Sequence, residues 1–254
     1  MYNYKTVFYT LGTLQIVLGV FMLIPVIIQL IYGELDSGFI SASIITIVFG
    51  VLFFLSNLDH DKNIDLPQAF ILTALSWLSV AIFGSLPFIF SELNLKFTDA
   101  FFESMSGITT TGSTIITDLD NAPKGILLWR AILQWLGGIG IILMAITLMP
   151  IMNIGGMQLF KISSNDNAEK ILPKSKEVSI RLIAIYSILT FSCAIFYKLF
   201  GMNYFDSLTH SMTTIATGGF SNYNDSIGHF NNALIEINAV IFIILGSIPF
   251  IAYI

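Results

Sequence analysis

Long apolar stretches alternate with short polar links along almost the whole chain. Each of the six longest could form a helix of about 20 residues or more. A helix of that length crosses the roughly 30 Å hydrocarbon core of a bilayer, because each residue adds about 1.5 Å. Pro25 predicts a kink in the first of them. The pattern predicts an all-α polytopic membrane protein with spans at 6–32, 39–58, 68–90, 125–150, 178–200 and 233–254.

One segment between these spans is apolar at helical spacing but too short to cross a bilayer. Asp99 is a suitable N-cap, and Phe101, Met105 and Ile108 recur on one helical face. A helix from there to about Thr109 rises only about 15 Å, half of a bilayer core. The threonines and glycine that follow favour an extended strand. Since non-helical backbone at membrane depth must be buried or line a wet cavity, we expect a re-entrant helix and loop.

A second short segment, 206–220, repeats the residue order of the first. Each has an acid, then a Ser-Met pair, then a Thr-Gly pair. Aligning Gly112 with Gly218 pairs Thr111 with Thr217 and leaves the two acids one residue out of register. Such a repeat usually means that one unit cannot enclose its site alone. The predicted organisation is two leading helices (1–65), a first pore repeat (66–150), a cytoplasmic link (151–177) and a second pore repeat (178–254), with the chain stopping in or at the end of its last span.

Composition narrows the class of protein. Of the 254 residues, 55% are hydrophobic and 11% are charged, whereas a soluble domain has about 25% charged residues. A single cysteine, Cys193, excludes a disulfide framework and a thiolate metal site. The net charge of −5 offers no basic surface for nucleic acid.

The lysines and arginines predict the orientation in the membrane. With the N-terminus inside, the cytoplasmic segments hold Lys5, Lys62, Lys161, Lys170, Lys174, Lys176 and Arg181, and the outer segments hold only Lys96, Lys124 and Lys198. The positive-inside rule therefore predicts an inside N-terminus and places both short segments on the outer side. The acids there would concentrate cations at the mouth of a pathway; they are Glu92, Asp99, Glu103, Asp118, Asp120, Asp206 and Asp225.

The short helices suggest a cation site. A helix whose partially negative C-terminal end points at a loop of carbonyl oxygens is suited to stabilising a dehydrated cation. The competing interpretation is that the threonine hydroxyls only link helices together in lipid.

Other polar and small residues have structural interpretations beside functional ones. The glycines of Gly137-Gly138-Ile139-Gly140 favour a close helix contact over a ligand site. Arg130 could snorkel to the interface or pair with an outer acid such as Glu103. His210 is expected to be a buried hydrogen-bonding group.

Two other function classes compete with a channel. A Na⁺-coupled secondary transporter also uses broken helices, although no inverted pairing is apparent here. An intramembrane serine protease would need Ser106 and His210 within hydrogen-bond reach, with an oxyanion hole. Ser106 lies in a helical run and aligns with Met212 in the repeat. The sequence therefore indicates a protein that is not an enzyme.

Motifs along nearly the whole chain resemble the TrkH/KtrB family of potassium-uptake proteins, and the two leading helices favour its TrkH branch. These motifs are Asp99-Ala100-Phe101-Phe102-Glu103-Ser104, Thr109-Thr110-Thr111-Gly112, Pro123-Lys124, Gln134-Trp135-Leu136-Gly137-Gly138-Ile139-Gly140, Ile154-Gly155-Gly156-Met157-Gln158-Leu159, Phe205-Asp206-Ser207, His210-Ser211-Met212 and Gly218-Gly219-Phe220-Ser221.

The resemblance implies a potassium-channel-like architecture in which four repeats of one chain surround a single pore. Thr110, Thr111 and Gly112 would form the first selectivity-filter strand, and the second would be Ala216, Thr217 and Gly218. Their oxygens would bind K⁺, the transported ion, without a cofactor. This chain would be an N-terminal half, because two further repeats are expected; the alternatives are a non-conducting fragment or two half-length chains forming one pore.

The resemblance also implies partners and a location. The expected partners are a cytoplasmic nucleotide-binding regulatory subunit of the TrkA/KtrA type and a second copy of the transporter. The expected location is the bacterial cytoplasmic (inner) membrane.

Overall fold

The computed structural model describes residues 4–34, 36–60, 64–152 and 171–253. Every regular element in these ranges is helical. The predicted cytoplasmic link (151–177) lies largely outside these ranges. The motif at 154–159 and Lys62 lie wholly outside them. The helices are α1 (Lys5–Phe21), α2 (Leu23–Tyr32), α3 (Gly38–Ser56), α4 (Leu66–Gly84), α5 (Leu86–Phe90), α6 (Phe97–Ile108), α7 (Lys124–Met152), α8 (Ile171–Leu199), α9 (Tyr204–Ile215) and α10 (Ala233–Ser247), with 3₁₀ turns at Ser226–Phe230 and Phe250–Tyr253.

Five stretches of helix in the described part of the chain are long and apolar enough to cross a membrane. They are Lys5–Tyr32, Gly38–Ser56, Pro67–Phe90, Lys124–Ile142 and Glu177–Leu199. These confirm the first five predicted spans. Successive spans run in opposite directions across a membrane, so α6, between the third and fourth, and α9, after the fifth, belong to the same membrane side.

The predicted sixth span is shorter than expected. Helix α10 has 15 residues and ends at Ser247, about 22 Å from its start. Ile248 is extended (φ −67°, ψ 133°) because the ring of Pro249 disfavours helical backbone in the residue before it. A 3₁₀ turn then replaces the helix predicted to reach residue 254.

The first span is interrupted near Pro25, where the sequence predicted a kink, but one turn earlier in the chain. The first span divides at Met22, between α1 and α2. Pro25 has no N–H to donate to the carbonyl of Phe21, and its ring crowds that carbonyl. The interruption therefore lies where the missing hydrogen bond would have been.

Two apolar cores hold the described helices together. One lies among α1 to α7, includes Phe205 of α9, and contains the buried Phe39 and Trp129. The other lies among α8, α9 and α10 and contains Tyr186 and Tyr197. Trp135 of α7 also packs against this second core. Helices α7 and α9 therefore each pack against both cores and together fix the relative position of the two repeats.

Close packing explains two of the glycines in α7. A Cβ atom on Gly137 would overlap the carbonyl oxygen of Ile108, at the end of α6, and one on Gly138 would overlap the Tyr186 hydroxyl. The interpretation of these glycines as a close helix contact is confirmed. Gly140 differs, because its nearest described neighbour is a Trp77 ring carbon at 3.9 Å.

Gly137→Ala is expected to lower the free energy of unfolding by about 2 kcal/mol, because the added methyl forces α6 and α7 apart. Gly140→Ala adds the same methyl where there is room, so a change within about 0.5 kcal/mol is expected. Denaturant unfolding of the purified chain, followed by circular dichroism, compares the two. Equal losses in both variants would show that the α6–α7 contact is not tight.

Candidate ion-binding site

The two short helices are structural copies of each other. Helices α6 and α9 each have 12 residues, and Phe97 corresponds to Tyr204 as Ile108 corresponds to Ile215, an offset of 107. Their N-caps are Lys96 and Asn203. The N-cap predicted at Asp99 is wrong: this acid lies in the first turn, where a negative charge favours the helix dipole.

Both helices end in the same hydrogen-bonded turn. The N–H groups of the second and third residues beyond the helix return to carbonyls of its last turn. This Schellman arrangement satisfies carbonyls that a helix end otherwise leaves free. The four bonds are Thr110 N–H to Gly107 O (2.9 Å), Thr111 N–H to Ser106 O (2.9 Å), Thr217 N–H to Thr214 O (3.0 Å) and Gly218 N–H to Thr213 O (3.0 Å).

The backbone angles after the helices correct the predicted alignment. Thr110 (φ 55°) matches Thr217 (φ 52°), and Gly112 (φ 81°) matches Gly219 (φ 83°). The predicted pairing of Gly112 with Gly218 is therefore wrong by one residue. The true offset also brings the two acids of the short segments into register and pairs Ser106 with Thr213, not Met212. The one-residue mismatch of the acids was the signal of this error.

The loops are not the regular extended strands that the sequence predicted. Residues 111–116 have no regular secondary structure, and a left-handed threonine begins each loop. The Ser106 hydroxyl donates to the carbonyl oxygen of Ser113 at 2.6 Å, which folds the first loop back over its own helix. We call residues 110–112 and 217–219 the two loop segments.

The two loop segments meet. A Cβ atom on Gly112 would overlap the carbonyl oxygen of Gly218, so these backbones are in direct contact. Thr111, Thr217 and Gly219 are exposed at this meeting point. Of the predicted site residues, Thr110, Ala216 and Thr217 line one cavity of about 350 Å³, whose other walls come from α7, α8 and the end of α10.

A buried ion pair supports the backbone that follows the first loop segment. Arg130 Nε lies 2.7 Å from Glu103 Oε1, and both side chains are almost completely buried (1% and 0% exposed). The Glu103 carboxylate also accepts from the Thr114 hydroxyl (2.9 and 3.0 Å) and from the Ile115 N–H (3.0 Å). Of the two interpretations of Arg130, pairing with an outer acid is therefore correct.

His210 occupies the position of Glu103 in the second repeat. Its Nε2 lies 3.0 Å from the Ser221 hydroxyl, and its Nδ1 lies 3.0 Å from the Asp206 carbonyl. Ser221 corresponds to Thr114, and each hydroxyl also accepts from an N–H two residues later. The expectation of a buried hydrogen-bonding histidine is confirmed.

These contacts also bear on the protease hypothesis. The Ser106 hydroxyl donates to the Ser113 carbonyl oxygen. The two ring nitrogens of His210 are hydrogen-bonded to the Asp206 carbonyl and to the Ser221 hydroxyl. The pairing of Ser106 with His210 that a hydrolase would need is not formed.

A second buried acid anchors the N-terminal end of α9. The Asp206 carboxylate, 1% exposed, accepts from Asn203 Nδ2 (2.6 Å), Asn222 Nδ2 (2.7 Å) and the Tyr223 hydroxyl (2.8 Å). Burial, together with this hydrogen bond to the carboxylate, raises the pKa of the Tyr223 phenol above its usual range, so that the phenol remains a donor. The network ties the loop after the second segment to the start of its helix.

Sequence reasoning missed the role of Gln134. This side chain is fully buried, and its Oε1 accepts from the Phe220 N–H at 3.1 Å. It lies against Gly218, where a Cβ atom would overlap it. Gln134 was noted only within a motif; its spacing of four from Arg130, which places both on one face of α7, was the available signal.

The fold and the site together define a polytopic helical membrane protein in which two half-length helices direct their C-terminal ends towards meeting loops. The family model for TrkH, described as a cation transport protein, matches residues 36–254. The chain belongs to this TrkH family, as the sequence motifs indicated.

Individual relatives agree with this assignment. The chain is 39% identical over 244 residues to the Trk system potassium uptake protein TrkH of Halomonas elongata, covering 94% of this chain and 51% of that protein. It is 37% identical over 251 residues to TrkH of Escherichia coli K12, covering 96% and 52%. The crystal structure of the potassium transporter TrkH from Vibrio parahaemolyticus matches with a TM-score of 0.86 at 35% identity, covering 96% of this chain and 50% of that one. The chain thus spans about half the length of the relatives it matches, consistent with an N-terminal half.

Proposed function

We propose that this chain supplies two of the ion-lining segments of a K⁺-uptake pathway. The observation that carries the proposal is the contact between two equivalent loop segments, each following the C-terminal end of a short helix. Such ends carry a partial negative charge, and backbone carbonyls can replace the hydration shell of K⁺. The relatives are named as potassium uptake proteins.

The ion-lining residues we propose are Thr110, Thr111 and Gly112 in the first loop segment and Thr217, Gly218 and Gly219 in the second. This set includes Gly219, because the corrected offset makes it the counterpart of Gly112. Ala216 corresponds to Thr109, at the end of the helix, and we assign it to the wall of the cavity. Both loops face the outer side in this proposal.

The rest of the proposal follows from the family. The protein lies in the bacterial inner membrane with its N-terminus inside, and K⁺ moves inward down the membrane potential, which is worth about 2.3 kcal/mol per charge per 100 mV. A cytoplasmic nucleotide-binding subunit of the TrkA/KtrA type regulates it, and the transporter is a homo-oligomer. K⁺ is the cargo, and no cofactor is needed.

The arrangement of the helices favours this pathway over a Na⁺-coupled carrier. Helices α6 and α9 lie on the same membrane side and have the same direction relative to their neighbouring spans. Inverted repeats, which many coupled carriers use, would place them on opposite sides. A non-conducting fragment is an outcome that the following experiment would reveal.

K⁺ uptake tests the proposal in bacteria that lack their own uptake systems. The chain is expressed alone and together with the half of the Vibrio parahaemolyticus transporter that it does not match. Uptake from micromolar K⁺ is expected in at least one arm, and Gly112→Ser is expected to reduce it to the vector level. Gly33→Ser is the matched control, since Gly33 has a similar φ (74°) but no described atom near its Cβ position. Absence of uptake in both arms, with the proteins in the membrane, would contradict the proposal.

A further inference from the structure

Two polar side chains of α7 bond to the backbone that follows the second loop segment. Arg130 Nη1 donates to the carbonyl oxygen of Ser221 at 2.8 Å, and Gln134 Oε1 accepts from the Phe220 N–H at 3.1 Å. The Arg130 guanidinium also lies over the Phe220 ring, 4.1 Å from its centroid. Helix α7 belongs to the first repeat, whereas these backbone groups belong to the second. A helix of one repeat therefore supports the loop of the other.

Arg130 is itself held in place by the first repeat. Its Nε donates to Glu103, whose carboxylate accepts from the Thr114 hydroxyl and the Ile115 N–H of the first loop. The Glu103–Arg130 pair thus joins the first loop to the carbonyl of Ser221 in the second. The planar guanidinium makes this possible, because it presents several donors in one fixed fork.

The second repeat has no counterpart of this buried pair among its described contacts, and its own link to the first loop is less buried: Asn224 Oδ1 accepts from the Leu119 N–H at 3.2 Å, and Asn224 Nδ2 donates to Asp120 Oδ2 at 2.7 Å. At the position equivalent to Glu103, His210 bonds to the Asp206 carbonyl and the Ser221 hydroxyl, both within its own repeat. The buried links between the two loops therefore run through α7, by Arg130 and Gln134.

We propose that Arg130 is a positioning residue that fixes the second loop segment against the first, so that the preference for K⁺ over Na⁺ depends on the Glu103–Arg130 pair. The dependence on ion preference rests on the proposed function. The physical reason is that a filter discriminates between ions through the number and placement of the oxygens around them, and this cross-link fixes where the oxygens of the two loops lie. Arg130 need not touch the ion to have this effect.

Hydrogen exchange of the purified full chain tests the positioning role without requiring transport. Arg130→Lys keeps a positive charge beside Glu103 but cannot present the fork that also reaches Ser221. Amide exchange within 217–223 is expected to rise about tenfold or more in Arg130→Lys and in Gln134→Leu, because each loses a buried bond to this backbone. Exchange in α8 is expected to stay unchanged.

Thr190→Val is the matched control, since it removes a buried hydroxyl that accepts from Trp135 Nε1 (3.1 Å) and has no bond to either loop. It should leave exchange of 217–223 unchanged. Unchanged exchange of 217–223 in Arg130→Lys would overturn the positioning role. A rise that extends equally to α8 would also overturn it, because that result indicates general destabilisation.

Cation-dependent unfolding tests the link to ion preference. An ion that binds the folded state more tightly raises the unfolding temperature more at the same concentration, so K⁺ should stabilise the wild-type chain more than Na⁺ does. Arg130→Lys is expected to reduce this difference, and Gly112→Ala to remove it. If Gly112→Ala keeps the full difference, the proposed filter fails, while hydrogen exchange still decides the role of Arg130. If Arg130→Lys keeps the full difference between K⁺ and Na⁺ while Gly112→Ala loses it, Arg130 does not affect ion preference, and the proposed ion-lining segments are supported.

Discussion

Replacing Gly112 with alanine is expected to lower the preference for K⁺ over Na⁺ by at least about tenfold, a change of about 1.4 kcal/mol. Two effects act together at this position. Its φ of 81° costs an L-residue about 1–2 kcal/mol, and the new Cβ atom would overlap the carbonyl oxygen of Gly218. That oxygen, which we propose lines the pathway, must move away. Rates of K⁺ and Na⁺ uptake, measured in an arm that conducts, give the ratio.

Gly219→Ala separates the two effects. Gly219 has almost the same φ, 83°, but no described heavy atom lies within 4 Å of the position its Cβ would take. Gly219→Ala should therefore carry the cost of a positive φ alone, and its loss of preference for K⁺ over Na⁺ should be smaller than that of Gly112→Ala. Equal losses in both variants would attribute the effect to backbone strain, and an unchanged ratio in Gly112→Ala would contradict a role for the contact between the loops.

The second large effect is expected from Arg130→Met, which should lower the free energy of unfolding by about 3–5 kcal/mol. This change leaves the Glu103 carboxylate, 0% exposed, without its cation, and an uncompensated buried charge is costly. The Thr114 hydroxyl and the Ile115 N–H still donate to the carboxylate, but these donors carry no charge that could balance it. Denaturant unfolding of the purified chain measures the loss.

The double variant Glu103→Gln/Arg130→Met supplies the control. It removes both charges, while the glutamine carbonyl can still accept from Thr114. Because replacing both members of a buried pair is often nearly neutral, most of the lost free energy should be recovered. The losses in Arg130→Met alone and in Glu103→Gln alone give the comparison. If the double variant loses as much free energy of unfolding as these two losses added together, charge pairing is not the source of the stability.

The sequence predicted the membrane spans well because their signal is local. A run of about 20 apolar residues needs no partner to be recognised, since the bilayer itself is the apolar environment. The last span is the exception, because the effect of Pro249 on Ile248 was not considered. The family was also readable from the motifs at 99–114 and 134–140, and the family model agrees.

The predicted register of the repeat was wrong by one residue because the alignment matched identical residues and not equivalent backbone conformations. Thr-Gly occurs at 111–112 and at 217–218, so the sequence invites that pairing. The structure instead pairs the left-handed positions, Thr110 with Thr217 and Gly112 with Gly219. A threonine with positive φ is uncommon, so propensity did not suggest it. The hydrogen bonds of the helix end hold it there.

The sequence by itself determined the class of protein, the approximate helix bounds and the two short helices, because apolar runs and their interruptions depend on neighbouring residues alone. Only the tertiary structure decided which side chains support the loops. Arg130 lies 27 residues from Glu103 and 91 from Ser221, and Gln134 lies 86 from Phe220. No local pattern encodes such distances: these contacts exist because the tightly packed Gly137 and Gly138 bring α7 against both repeats.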